Sequence, residues 1–173
     1  YFARLKPLCN ERVLIGIEIG MQTHTAAEDK KVAQGHAFDF VLGSIHCIGK
    51  RDLYELTCYE GRTRQQIVEE FLQDSITCVE QDRDFDAFAH IDYICRYWPY
   101  EGEERELRLA DAPELFDKLF KLLIEKNIPI EINTRRLDDA QAVAGLLPLY
   151  ERYHALGGEY CTVGSDAHYA EHV

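Results

Sequence analysis

The sequence is short of several things, and each shortage narrows what the chain can be. It has no run of about 18 apolar residues, which excludes a helical membrane span. None of its six cysteines forms a Cys-x-x-Cys pair, and most sit in apolar surroundings. A chain of 173 residues builds its own core without disulfides, so reduced thiols and a cytoplasmic home are expected. Positive charge is scarce: 19 Lys and Arg stand against 31 Asp and Glu, a formal net charge of −12. That balance argues against nucleic acid as a partner, which wants a basic stripe, and suits a site that gathers carboxylates around cations. There is no initiator Met and no signal-peptide pattern, and the chain opens inside an expected helix (Phe2, Leu5, Leu8). A longer polypeptide is therefore expected. No Pro-, Gly- or Ser-rich linker interrupts residues 1–173, which read as a single domain.

What is present is an alternation. Val13 to Gly20, Phe38 to His46, Phe85 to Asp92, Ile128 to Asn133 and Tyr160 to Val163 are apolar or β-branched runs of strand length. Between them lie helical patterns: Ala26 to Gln34, Thr63 to Gln81, Pro113 to Ile124, and Asp138 to Leu156, where Pro148 is expected to bend or split the helix. Lys50 to Gly61 reads as an irregular charged loop. Continuous apolar runs suit strands covered on both faces, so Val13 to Gly20 and Cys161 to Val163 are expected to be buried. Strand and helix in alternation predict parallel βα units.

Each strand ends in a residue able to bind a metal or move a proton. Glu18 interrupts the first, His46 closes the second, and His90 and Asp92 close the third. Glu131 and Asn133 alternate with isoleucines on the fourth and share a face. Asp166 and His168 follow the fifth, and in extended backbone such an i, i+2 pair points the same way. A doubly wound sheet gathers ligands at one switch point, whereas a closed ring lets five strand exits converge. A (β/α) barrel, incomplete at its N-terminal end, is therefore expected.

Mixed imidazole and carboxylate ligands suit Zn, Fe or Mn rather than Ca or Mg. Three histidines and several acids exceed the three protein ligands of a usual single catalytic ion. Two or more ions sharing a carboxylate are the natural reading, and phosphoester hydrolysis is the chemistry that most needs them. Arg96, Arg135 and Arg136 are candidates to hold a substrate phosphate, with Asn133 beside them. Other residues carry less. His24 lies in a turn near the Glu18 exit, His36 and His154 read as loop and helix-surface residues, and Cys47 is expected to point away from His46. Tyr97 and Trp98 read as core rather than pocket.

These residues carry a resemblance. Gly16-Ile17-Glu18, Gly43-Ser44-Ile45-His46, Ala89-His90-Ile91-Asp92 and Gly164-Ser165-Asp166-Ala167-His168 resemble successive motifs of the PHP (polymerase and histidinol phosphatase) domain family. His90 to Tyr97 and Glu131 to Thr134 resemble its histidinol-phosphatase branch most. The resemblance implies an α/β fold, a distorted (β/α)7 TIM-like barrel, with a site for two or three Zn, Mn or Fe ions at its C-terminal face. It implies that Glu18 bridges two ions, that His46 and His90 complete one, and that Asp166 and His168 bind the others. These five residues would carry catalysis, with a metal-bound hydroxide attacking a small phosphorylated substrate in line. The implied activity is a phosphoric monoester hydrolase of cytoplasmic histidine biosynthesis. The alternatives are a phosphodiester or nucleotide hydrolase of the same family, and a non-catalytic metal-stabilised domain of a larger protein. Two departures stand out. The family's first His-x-His motif has no match and is expected upstream of Tyr1, and Arg135-Arg136 stand where this branch carries a Ser-Gly pair.

Overall fold

Each apolar run docks beside the one before it in the chain. The computed structural model describes residues 2–81 and 84–170; His172 lies outside them. One turn of helix, α1 (Phe2–Leu5), passes through a 3-10 turn and leads to β1 (Gly16–Gly20). α2 (Ala26–Gly35) returns the chain to β2 (Phe40–Ser44). A small antiparallel hairpin follows, β3 (Cys47–Ile48) with β4 (Arg51–Asp52), the second strand falling inside the segment expected to be irregular. Then come α3 (Arg64–Gln81), β5 (Ala87–Phe88), α4 (Pro113–Glu125), β6 (Ile130–Asn133), α5 (Ala140–Ala155) and β7 (Cys161–Gly164).

Five strands form one sheet in the order β1-β2-β5-β6-β7, and every pairing in it is parallel. With the hairpin set aside, that is chain order, without the reversal that defines a doubly wound sheet. The α/β class and the barrel-type winding are thus as expected. Among the described residues the strands make an open arc, and β1 and β7 are not paired with each other. All five strands point the same way, so their C-terminal ends share one rim.

The helices form where apolar residues recur at three- and four-residue spacing. α3 buries Ile67, Phe71, Leu72, Ile76 and Val79, and α4 buries Phe116, Leu119, Phe120 and Leu123. The two helices pack on each other. Each such side chain contributes about 1.5–3 kcal/mol on leaving water. Pro113 occupies the first turn of α4, where its missing N–H costs nothing, and Asn127 just past the helix takes φ +56°. Gly43 in β2 permits a close approach: a Cβ there would lie 2.8 Å from the Phe85 ring and 2.9 Å from Met21.

Three expectations need correction. The runs expected to be buried are not covered on both faces: Leu14, just before β1, is 64% exposed and Val163 in β7 is 72% exposed, and both strands lie at the ends of the sheet. β5 is two residues long, since the chain turns away immediately after Phe88 to place His90 and the following 3-10 turn. Pro148 does not split α5, which runs unbroken from Ala140 to Ala155. Pro148 and Ala144, whose carbonyl loses its amide partner, both lie on the exposed face, so water replaces the missing bond. No helix among the described residues is long and apolar enough to cross a membrane.

Candidate metal centre and cleft

Register brings the first three strand ends together. Glu18 pairs with Leu42, and Leu42 with Ala87, so His46 and His90 emerge a few residues further along adjacent strands. His46 Nε2 lies 3.2 Å and His90 Nε2 3.0 Å from the same Glu18 oxygen, Oε1. Among the described residues, Glu18, His46 and His90 are the one group whose ligand-type atoms all lie within 4.8 Å of one another. Partial burial pushes the Glu18 pKa up. Hydrogen bonds with His46 and His90, and the charge of His90, outweigh it and hold the carboxyl well below the usual carboxylate range.

His90 is the anchored member. It is 2% exposed, and its main-chain N–H donates to Glu131 Oε2 at 2.9 Å. Glu131 Oε2 also accepts from the Asn133 amide at 3.1 Å, as the shared face of β6 predicts. Gly164 on β7 makes room for this arrangement, because a Cβ there would overlap the Glu131 carboxylate. His90 Nδ1 is buried without a hydrogen-bond partner.

Tyr93 completes the wall. The turn after Asp92 brings it back beneath His90, with the Tyr93 N–H donating to the His90 carbonyl at 2.8 Å. Its ring centroid lies 4.3 Å from that of His46 and 5.0 Å from that of His90, and the Arg96 guanidinium sits 5.1 Å above it. Sequence reasoning passed over Tyr93; its position three residues after His90, in a turn, was the available signal.

The remaining candidates divide between the cleft and its supports. Arg96, Arg135, Asp166 and His168 line the same cleft as Glu18 and His46. Asp166 and His168 stand apart from the Glu18 group but converge on each other as expected, His168 Nδ1 lying 3.6 Å from Asp166 Oδ1. The strand ends at Gly164 and Asp166 takes a left-handed φ of +51°, so the pair meets in a turn rather than on an extended strand. The Asp166 carboxylate pairs with Arg96 and lies 3.8 Å from Arg135, while His168, 66% exposed in its side chain, turns Nδ1 to the Asp166 carbonyl at 2.9 Å.

Arg136 does not face the cleft. It binds both Glu106 oxygens, at 2.6 and 2.8 Å, and Asp92 at 3.0 Å, and all three side chains are nearly buried. A buried fork engaged with two carboxylates is unavailable to a substrate, and Asp92 is likewise taken from the metal-binding group. Asn133 is 3% exposed and supports the cleft from beneath, accepting from Arg96 at 3.3 Å and from the Arg135 N–H at 3.1 Å. Tyr97 lines the cleft against expectation, whereas Trp98 is core, donating to the Arg105 carbonyl at 2.7 Å. His36 stacks on Phe2, and His154 caps the end of α5 through the Gly158 carbonyl. Cys47 belongs to the hairpin, where burial pushes its thiol pKa up.

Comparison with known proteins agrees with this geometry. A probable histidinol-phosphatase of Clostridium acetobutylicum is 36% identical over all 173 residues, which span 67% of its length. The histidinol-phosphatase of Lactococcus lactis is 29% identical over 161 residues, 92% of this chain and 59% of that protein. A crystal structure of histidinol phosphate phosphatase from Lactococcus lactis, complexed with zinc, L-histidinol and phosphate, superposes with a TM-score of 0.83. That match covers 96% of this chain and 62% of the solved one, at 29% identity. The chain therefore spans about three fifths to two thirds of the relatives it matches. The family model described as the PHP domain matches residues 3–135, and the chain belongs to the PHP domain family.

Proposed function

We propose that this chain forms the metal- and phosphate-binding body of a phosphoric monoester hydrolase resembling histidinol-phosphatase. The observation that carries the reading is the Glu18–His46–His90 group opening onto a cleft that two arginines also line. The donor set fits a transition-metal ion: one carboxylate and two imidazoles converge, and the backbone of one imidazole is pinned by Glu131. Glu18, His46 and His90 would hold one ion, and Asp166 and His168 are the side chains placed to serve further ions of a two- or three-metal site of Zn, Mn or Fe. When bound, such ions lower the pKa of a coordinated water and neutralise charge on a phosphoryl group.

The chain's own residues supply the rest. Arg96 and Arg135 present guanidiniums to the cleft and would orient the phosphate through paired N–H donors. Asn133 holds Arg96 from below, and Tyr93 covers the two histidine rings and keeps water from their faces. A small phosphorylated substrate suits a cleft of about 310 Å³, and the net charge of −12 disfavours nucleic acid. The relatives' names support a role in histidine biosynthesis, which we place in the cytoplasm.

The test is phosphatase turnover of the full-length protein with Mn²⁺ or Zn²⁺, wild type against His46→Ala. Loss of several kcal/mol of charge stabilisation lowers turnover by about 100-fold or more. Equal turnover in the two proteins ends the reading.

A further inference from the structure

We propose that Asp74, a residue of α3 that takes no part in lining the cleft, is a positioning residue for His46 and acts through the β3–β4 hairpin. The inference rests on the metal-centre reading above and adds what holds the second imidazole in place. His90 is fixed by Glu131, which binds its main-chain N–H. His46 has a different support. Its carbonyl accepts the Leu53 N–H at 2.9 Å, one step beyond the Cys47–Asp52 pair, so its backbone extends the hairpin ladder.

Strands β3 and β4 are two residues each, and a ladder that short is marginal without outside support. The support comes from α3, which buries Phe71, Leu72, Ser75 and Ile76 around Asp74. At the hairpin tip Gly49 and Lys50 take φ of +53° and +66°, both left-handed, as a two-residue type I′ turn requires. A lysine keeps such an angle only where its surroundings hold it there. The Gly49 N–H donates to Asp74 Oδ2 at 2.9 Å, which fastens the tip to the helix. Glu70, one turn earlier on α3, closes in on the same residue: a Cβ on Gly49 would lie 2.5 Å from Glu70 Oε1. At the base of the hairpin the Tyr59 hydroxyl donates to the Leu53 carbonyl at 2.7 Å, and Ile48 and Leu53 are fully buried. The hairpin is thus held at tip and base, and His46 is the residue at its base. A tip released from Asp74 lets the ladder rock and carries His46 Nε2 away from Glu18.

The experiment is zinc titration of the full-length protein, wild type against Asp74→Ala and Asp74→Asn, each folded by circular dichroism at the titration temperature. Loss of a hydrogen bond of ordinary net strength weakens zinc binding by about fivefold in Asp74→Ala. Asp74→Asn keeps an acceptor oxygen and restores most of the affinity. In a His46→Ala background Asp74→Ala has no further effect, because the path runs through His46. Amide exchange gives a readout in the metal-free protein: the Leu53 N–H exchanges faster in Asp74→Ala and at about the wild-type rate in Asp74→Asn. Where Asp74→Ala does not fold, Asp74→Glu keeps the charge, moves the acceptor by one methylene and is expected to weaken zinc binding in the same direction. A lower melting temperature with unchanged zinc affinity overturns the proposal and leaves Asp74 a stability residue. Equal weakening in Asp74→Ala and Asp74→Asn overturns it in favour of a charge acting at a distance. A wild type that binds no zinc ends the metal-centre reading itself.

Discussion

Glu131 holds His90 by its backbone: the Oε2 atom of one accepts the main-chain N–H of the other at 2.9 Å, across the junction of β5 and β6. A buried carboxylate that ties down a candidate metal ligand is a support whose loss should be felt wherever that ligand binds an ion. Glu131→Ala strands a buried N–H, at a cost of about 1–3 kcal/mol. It also loosens His90, and comparable support residues change metal affinity by about 10–100-fold. Zinc titration and thermal melting of the variant measure the two effects separately. Unaltered zinc affinity in a destabilised Glu131→Ala would show that the contact is structural only.

Gly164 should matter through the same carboxylate. A methyl group at this position overlaps Glu131, so Gly164→Ala must displace either β7 or the side chain that holds His90. The expected result is a loss of zinc affinity in the same direction as Glu131→Ala, with little added loss when the two are combined. Full additivity in the double variant counts against the shared path.

Arg136 predicts a stability effect rather than a binding effect. Removing one partner from a buried ionic cluster costs about 3–5 kcal/mol, because Asp92 and Glu106 are left as uncompensated buried charges. Urea unfolding of Arg136→Ala should show a loss of that order. A variant as stable as wild type, with raised KM alone, would restore Arg136 to the substrate.

Metal removal is expected to lower the melting temperature of wild type far more than that of Glu18→Gln. A ligand at one hundred times its dissociation constant adds about 2.7 kcal/mol to folding stability. Melting curves with and without a chelator give the comparison, and equal shifts in both proteins would detach Glu18 from the metal.

Asp39 should contribute to acid sensitivity. The Ile15 N–H and the Lys6 ammonium hold its carboxyl below the ordinary 3.8, so its contribution is present above that value and is lost as pH falls through the lower folded-state pKa. Asp39→Ala is therefore less stable than wild type at neutral pH, and the gap narrows on acidification below about pH 4. A gap that widens in acid reverses the sign and refutes the assignment.

Much of this was legible in the residues. Glu18, His46 and His90 stood out because each is a lone ionisable group at the end of an apolar run, and parallel strands in chain order place such ends side by side. Glu131 and Asn133 were legible by alternation with isoleucine. The pairing of Arg136 with Glu106 was not, because Glu106 sits in an acidic loop with no periodicity, and its partner is 30 residues away. The turn in which Asp166 and His168 meet depends on one left-handed backbone angle, which an Asp can adopt without any mark in the sequence. Tyr93 was hidden for a related reason: a 3-10 turn, not a strand or helix repeat, decides where its ring goes.

Because the sheet is laid down in chain order, the ribosome delivers the centre in instalments. Glu18, His46 and His90 all belong to the first 90 residues, on β1 and just beyond β2 and β5, whereas Arg135, Asp166 and His168 emerge only with the last two strands. Domains can begin to fold from the N-terminal end during synthesis. The nascent protein can thus bring its first candidate ligands together before Arg135, which lines the cleft just after β6, has been made.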